Sequence, residues 1–237
     1  AVAFRNAGYG TPILIGREER VKAAMERIGL SGEDEIETHN ARISSRNKDY
    51  TDFLYERLQR RGSLYRDCQR MVNLDRNVFG ACMVALGDAD ALVTGLTRNY
   101  YGALRDIRRV MYPKEGERVI GLTILLARNR TLFLADTAVH ELPSSLELAD
   151  FAMQAAAAAR RFGHEPRVAL ISFSNFGNPD IARSHIVRDA VTILDDRKAD
   201  FEYDGEMGAD VALNPELMKL YPFCRLSGPA NVLITPG

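Results

Sequence analysis

Short apolar runs alternate with amphipathic stretches along nearly the whole of this 237-residue chain. Pro12–Gly16 (PILIG), Ala91–Gly95 (ALVTG), Val168–Ser172, Phe201–Tyr203 and Val232–Thr235 are rich in aliphatic residues and bounded by glycine, proline or polar clusters, which marks them as strands. Val119–Ala127 and Thr131–Asp136, joined by the turn Arg128–Arg130, read as a hairpin of two apolar strands. Apolar positions three and four apart predict helices over Glu18–Ile28, Tyr50–Arg61, Asp67–Leu86, about Asn99–Met111, Ser144–Phe162 and roughly Ile181–Asp195. The stretch Asp67–Leu86 reads as one long helix that Gly87 ends. Ser144–Phe162 is the clearest of them. Ser144 and Glu147 form a capping box, Arg160 and Arg161 sit at the negative end of the helix dipole, and Gly163 suits the left-handed position beyond it. Strands that alternate with helices in this way predict an α/β fold, with a mostly parallel sheet covered on both faces. The ends look cut. Ala1–Tyr9 reads as the last turns of a helix, and Val232–Thr235 as a strand without the element that would cover it.

Composition adds mainly exclusions. With 46% hydrophobic and 27% charged residues the chain is long enough for a substantial core, and its net charge of −1 gives no global field for nucleic acid or an anionic membrane. Cys68, Cys82 and Cys224 form no CxxC pair, which argues against a disulfide framework and a zinc site and fits a reducing compartment. No apolar run reaches the roughly 20 residues that span a bilayer, and no signal peptide opens the chain, so the expected location is cytoplasmic.

Three stretches carry candidate chemistry. Arg98, Arg105 and Arg109 fall within roughly 20° of one line on a helix, so three guanidiniums share a face. Leu104, Ile107 and Met111 occupy a different face and are expected to bury it. Such a stripe is either a solvated basic surface paired with nearby acids or a phosphate site. Second, Ala169–Gly177 (ALISFSNFG) runs a strand straight into Ser172, Ser174, Asn175 and Gly177, where open α/β sheets collect ligands. Asn178-Pro179-Asp180 then offers an N-cap for the next helix. Backbone amides in that turn suit an anion, although hydrogen-bonded strand-to-helix turns without ligands are as common. Third, Asp204, Glu206 and Asp210 lie close together, and the blandest reading makes Asp204 or Glu206 a cap for a helix beginning near Met207, with no metal. GxSxG and GxGxxG are both absent, which excludes a serine-hydrolase elbow and places any NADP site outside this chain. His39, His140, His164 and His185 are scattered and enter no site.

The SFS-x-x-G turn, the later DGE-x-x-x-D (Asp204–Asp210), Thr131–Asp150, the arginine-rich helix and Pro222–Leu233 resemble, in that order, the phosphotransacetylase family, which exchanges an acyl group between coenzyme A and phosphate. Within it, the stretches RRVMYPKEGERVIGLTILLARNRTLFLADTAVHE and KADFEYDGEMGADVALNPELMKLYPFCRLSGPANVL are most similar to the phosphotransacetylase-like C-terminal domain of large bacterial NADP-dependent malic enzymes. The resemblance implies two α/β subdomains around a cleft, similar to isocitrate and isopropylmalate dehydrogenases, with residues 1–112 in the first and 113–237 in the second. It implies acetyl-CoA or CoA as ligand, held by Arg98, Arg105, Arg109, Ser172, Ser174, Asn175, Gly177, Asp204 and Glu206, and Arg105 carries the family's Leu-Arg pair. It also implies a homodimer through the second subdomain, within a larger oligomer. A linked malic enzyme domain would use NADP and Mg or Mn. This sequence departs from the pattern at Asp106, where the family has proline, at Asn178-Pro179 in place of a second serine, and at His140 in place of asparagine. Those departures favour an acetyl-CoA sensor, with an active phosphate acetyltransferase and an oligomerisation module as the alternatives.

Overall fold

The computed structural model describes residues 1–30, 36–95, 98–127 and 129–236. They form two compact units, Ala1–Tyr112 and Pro113–Gly237.

The first unit is mostly helical. Two short strands, β1 (Leu14–Ile15) and β2 (Thr38–His39), pair in parallel with Leu14 opposite Thr38. Around them stand α1 (Val2–Asn6), α2 (Glu18–Arg27), α3 (Asn47–Leu58), α4 (Tyr65–Leu74), α5 (Arg76–Ala85) and α6 (Tyr100–Val110). The core is built from α3, α4 and α5, with Tyr50, Leu54, Val72 and Phe79 buried and the Tyr50 ring edge-on to Phe79 at 5.2 Å.

Two expectations of secondary structure fail in this unit, and each failure has a local cause. The single helix expected over Asp67–Leu86 breaks at Asp75, which is extended (φ −109°, ψ 113°) and caps α5 by accepting from the amides of Asn77 at 2.8 Å and Val78 at 3.4 Å. A short acidic side chain stabilises a helix start more than a helix interior. Ala91–Gly95 joins no strand among the described residues. Side chains hold it instead: Leu92 packs on the core, and the Thr94 hydroxyl donates to Asn77 Oδ1 at 2.6 Å.

The second unit is a five-stranded sheet of order β3-β4-β7-β5-β6. It comprises β3 (Thr123–Ala127), β4 (Arg130–Ala135), β5 (Arg167–Ile171), β6 (Glu202–Met207) and β7 (Val232–Ile234). Only β3 and β4 are antiparallel, the hairpin expected from sequence, although Arg128 of its turn lies outside the described residues. The other three pairings are parallel, and the last strand in sequence, β7, lies between β4 and β5. Side chains alternate accordingly. Phe133, Val168, Leu170, Val232 and Ile234 pack under α7 (Ser145–Arg161) and α8 (Ala182–Asp196). Ala169 and Leu233 pack on the other face, under α9 (Ala209–Leu213) and α10 (Pro215–Met218).

The capping box of α7 forms as expected, with the Ser144 hydroxyl accepting from Glu147 N and the Glu147 carboxylate accepting from Ser144 N. Most of its alanines are not free for a partner: Ala149, Ala152, Ala155, Ala156 and Ala159 are all buried in the unit's own core. A run of exposed apolar surface lies on β3, where all five residues are exposed and Leu126 is 79% so.

β6 is longer than expected and takes in the whole of Asp204-Gly205-Glu206, so these residues are strand and cap no helix. α9 begins later, at Ala209, with Gly208 as its N-cap residue. Nor do Asn178-Pro179-Asp180 cap α8, whose N-cap position is Ile181. The parallel strands β4, β5, β6 and β7 end side by side, which gathers the loops beginning at Asp136, Ser172 and Gly208 along one edge of the sheet.

Gly205 makes the closest backbone approach in that sheet. A Cβ there would meet the Leu170 carbonyl oxygen at 2.7 Å and Leu170 Cβ at 2.8 Å. Gly205→Ala should therefore lower stability by about 1–3 kcal/mol, the usual cost of overpacking, read from the urea midpoint. An unchanged midpoint would show that β5 and β6 separate without cost.

Candidate functional site

The sequence-picked residues fall into two clusters, one in each unit. In the second unit the turn after β5 is built on Glu206, whose side chain is fully buried at 0% exposure. One carboxylate oxygen accepts from Gly177 N at 2.7 Å and from the Ser174 hydroxyl at 3.2 Å, and the other accepts from Arg188 Nε at 2.9 Å. The Ser172 and Ser174 hydroxyls lie 3.1 Å apart. Asn175 Oδ1 accepts from Gly208 N at 2.7 Å, and Phe176 N donates to the Glu206 carbonyl at 2.9 Å.

This arrangement imposes an unusual backbone. Asn175 and Asn178 exchange backbone hydrogen bonds across a tight reversal in which Phe176 (φ 47°) and Gly177 (φ 95°) are both left-handed. Glycine adopts that region freely, whereas a bulky residue does so only when its surroundings require it. The Phe176 ring packs against Tyr221 and Phe223, with centroids at 5.2 and 5.0 Å, which supplies the requirement.

Asp204 does a different job from its neighbour in the motif. Its carboxylate accepts from Gly205 N and from Arg225 N at 2.7 Å, tying the segment before β7 to the edge of β6. Ser172, Ser174, Asn175, Gly177 and Glu206 are thus one connected group, while Asp204 bonds elsewhere. Asp210 lies in the first turn of α9.

In the first unit all three sequence-picked arginines converge on Asp106. Arg98 Nη1 lies 3.1 Å from it, Arg109 Nη1 3.2 Å and Arg105 Nε 3.6 Å. Asp106 is only 3% exposed, and the face of α6 that is buried is Ala103, Asp106 and Val110, whereas Leu104 and Ile107 are half-buried. Three guanidiniums lower the cost of burying one carboxylate, which explains why the buried face departs from the one that hydrophobicity alone predicts. Arg98 also reaches Asp75 at 2.6 Å. Burial works against the charge on Asp75, but the Arg98 hydrogen bond and the amides of Asn77 and Val78 outweigh it and hold its carboxyl below the usual range. Arg105 is the most exposed of the three.

Sequence reasoning passed over Arg188, Asp136 and His140. Arg188 bridges Glu206 and, at 2.9 Å, Asp180, and its signal was the second charge an inward-facing Glu206 needs. Asp136 is 4% exposed and accepts from the amides of Gly121, Ala138, Val139 and His140 and from His140 Nδ1 at 2.6 Å. Burial opposes its ionisation, and these donors more than offset that, leaving its pKa below the ordinary value.

Burial raises the thiol pKa of all three cysteines, that of Cys82 to about 12, so none is a thiolate nucleophile at neutral pH. Among the described residues no group of three or more His, Cys, Asp or Glu side chains is placed to hold a metal ion. No helix of the described residues is long and apolar enough to cross a membrane.

A family model described as phosphate acetyl/butaryl transferase matches residues 1–237. An NADP-dependent malic enzyme of Rhizobium meliloti is 58% identical over 100% of this chain and 31% of its own length, so the chain spans about a third of that relative. A phosphate acetyltransferase of Bacillus subtilis is 30% identical over 95% of this chain and 70% of its own length. In three dimensions, a phosphotransacetylase from Streptococcus pyogenes superposes with a TM-score of 0.90 at 26% identity, over 100% of this chain and 72% of that one. The fold is therefore the mixed α/β phosphotransacetylase fold.

The Asp106 cluster makes a direct prediction. Asp106→Ala leaves three guanidiniums without their shared carboxylate, so stability should fall by about 1–3 kcal/mol. Added inorganic phosphate should restore part of the loss, since it can replace the missing anion, and an equal concentration of chloride should restore less. Urea midpoints in the two salts check this, and a variant as stable as the parent would mean the arginines are indifferent to Asp106.

Proposed function

The chain belongs to the phosphate acetyl/butaryl transferase family, and we propose that it acts as the acetyl-CoA-sensing part of a larger NADP-dependent malic enzyme. On this reading a separate malic enzyme domain decarboxylates malate to pyruvate with NADP and Mg or Mn, and this chain reports the supply of acetyl-CoA to it. The coverage of the malic-enzyme relatives supports the larger context, because the chain matches only about a third of them.

One observation carries the preference for sensing over turnover. The guanidinium face that would meet a phosphate-rich ligand already holds an anion, the buried carboxylate of Asp106. A ligand phosphate that engages Arg105 competes with Asp106, and the competition reaches Asp75 through Arg98. Binding is thereby tied to a rearrangement of a charged network, which is what a sensor requires. In the second unit the same economy holds. Both oxygens of Glu206 and the Ser174 hydroxyl are taken up in holding the turn, so neither stands free as an acid, a base or a nucleophile.

Acetyl-CoA should therefore bind without appreciable formation of acetyl phosphate from acetyl-CoA and phosphate. Calorimetry and a thiol-release assay test the two halves separately. Turnover in the range of about 1–10³ s⁻¹ would overturn the sensor in favour of a working phosphate acetyltransferase.

Arg105→Ala should weaken binding of CoA far more than Arg108→Ala, since Arg105 shares the Asp106 face and Arg108 is turned about 60° from it. Loss of one charge-assisted contact corresponds to roughly 1.5–3 kcal/mol, or about ten- to hundredfold in affinity. In the whole protein the substitution should blunt the response to acetyl-CoA and leave malate turnover in its absence unchanged. Equal effects of the two variants would reduce the cluster to ordinary surface.

The exposed β3 supports a homodimer through the second unit, because its outer edge lacks a strand neighbour among the described residues and carries Ile124, Leu125 and Leu126 at the surface. Light scattering at micromolar concentration should give twice the chain mass, and Leu126→Lys should shift it toward the monomer. A parent chain that is monomeric throughout would remove the proposal.

A further inference from the structure

A concavity of about 480 Å³ lies in the first unit between β1, α2, the Asn40–Arg42 turn and the junction of α4 and α5, and it shares no residue with the Asp106 cluster. Its apolar floor comprises Ile15, Val21, Ala24 and Met25. Four arginines, Arg17, Arg20, Arg42 and Arg76, also line it, and among the described residues no carboxylate does. Among the described residues none of these four is in an ion pair, in contrast to Arg46, Arg98, Arg118 and Arg160, each of which faces a carboxylate. Positive charges brought together without counter-ions repel one another, so the concavity is primed for an anion. α2 starts beside it with Arg17 at its N-cap position and no side-chain cap, and the acids of its first turn, Glu18 and Glu19, do not line the concavity.

A second feature narrows the class of anion. Asn73 lines the same concavity, and its Oδ1 is buried with no hydrogen-bond partner among the described residues. A buried acceptor left unmatched costs about 1–3 kcal/mol, and a fully ionised phosphate held by arginines cannot relieve it because it has no hydrogen to donate. An amino group on an otherwise flat, apolar body can. We infer that this concavity binds a phosphorylated nucleotide, with its phosphates on the arginines, the ring on the Ile15–Met25 floor and an exocyclic amine donating to Asn73. The volume lies within the range of ordinary small-molecule sites, about 300–1,000 Å³. Arginine outnumbers lysine sixteen to two in residues 1–112, which favours planar, bidentate contacts with phosphate.

The inference does not rest on acetyl-CoA sensing, although coenzyme A itself contains such a nucleotide. Titration calorimetry of the full chain with adenosine 3′,5′-bisphosphate, beside inorganic pyrophosphate, tests it. The bisphosphate should bind at least tenfold more tightly than pyrophosphate. The double variant Arg20→Ala/Arg42→Ala alters only exposed side chains and should weaken the bisphosphate at least tenfold. Ala24→Trp fills the floor without changing charge and should remove the bisphosphate's advantage over pyrophosphate. Arg105→Ala should leave bisphosphate binding intact. Bisphosphate that binds no better than pyrophosphate, an unaffected Arg20→Ala/Arg42→Ala variant, or loss of binding in Arg105→Ala would each overturn the inference. If acetyl-CoA has no effect on the whole protein while these results hold, the sensing role alone falls.

Discussion

Glu206 brings a negative charge to a position with no exposed surface, and the edge of the second unit where β4 to β7 end is organised by the cost of placing it there. An ionised carboxylate is tolerated in such a place only when its oxygens are fully bonded and a cation stands close. Here the donors are Gly177 N, the Ser174 hydroxyl and Arg188, so the requirement fixes three separate segments at once. The turn after β5 is drawn onto β6, the left-handed pair Phe176-Gly177 is held in place, and α8 is pinned by its second turn to the edge of the sheet. The Ser172–Gly177 motif and the Asp204–Glu206 motif, about thirty residues apart in sequence, are thus two halves of one hydrogen-bonded object. That is a sufficient physical reason for both to occur in the same chain.

Asp106 poses the same problem in the first unit and is solved differently. Its partners are three guanidiniums that remain 40–57% exposed, so solvent and dissolved ions reach them. Glu206 is locked by a backbone amide and a buried hydroxyl as well as by Arg188, whereas Asp106 is held by exposed charges alone, which a dissolved anion can also contact. The first arrangement is built for permanence and the second for exchange. On the proposed reading this difference assigns the responsive role to the Asp106 cluster and leaves the Glu206 turn as the frame of its unit.

How far the sequence announced this varies with the kind of information each residue carries. α7 was legible to the residue because the capping box, the basic last turn and the glycine beyond it are all local signals. The parallel character of the sheet was legible from strands that alternate with helices, and the family from motif order. Asp75 was missed because a cap and an interior helix position look alike inside an amphipathic stretch, and only the Arg98 contact and the bonds to Asn77 and Val78 separate them. The DGE segment was read as a helix cap because two acids before an apolar helix are the ordinary sign of one, while the Arg188 that lets Glu206 lie in a strand is eighteen residues upstream. Asp106 was read as a departure from the family's pattern, where proline follows the Leu-Arg pair. Its burial depends on three side chains arriving together, which periodicity does not report.

The energies involved bear on what such a cluster can do. Allosteric coupling between two sites typically amounts to about 1–3 kcal/mol. A charge-assisted hydrogen bond exchanged between an internal carboxylate and a ligand phosphate lies in the same range, about 1.5–3 kcal/mol. A network in which Asp106 and a phosphate contend for Arg105, with Arg98 dividing itself between Asp106 and Asp75, therefore carries energy of the size regulation uses. The same sum is well short of the roughly 8 kcal/mol or more by which enzymes lower a barrier. Catalysis on this scaffold requires further groups aimed at the reacting atoms, and the side chains described at the two clusters are already engaged with one another. On the proposed reading, sensing asks for less: one displaced carboxylate and a connected set of ion pairs, such as that from Asp106 through Arg98 and Asp75 to the start of α5, along which its release would be felt.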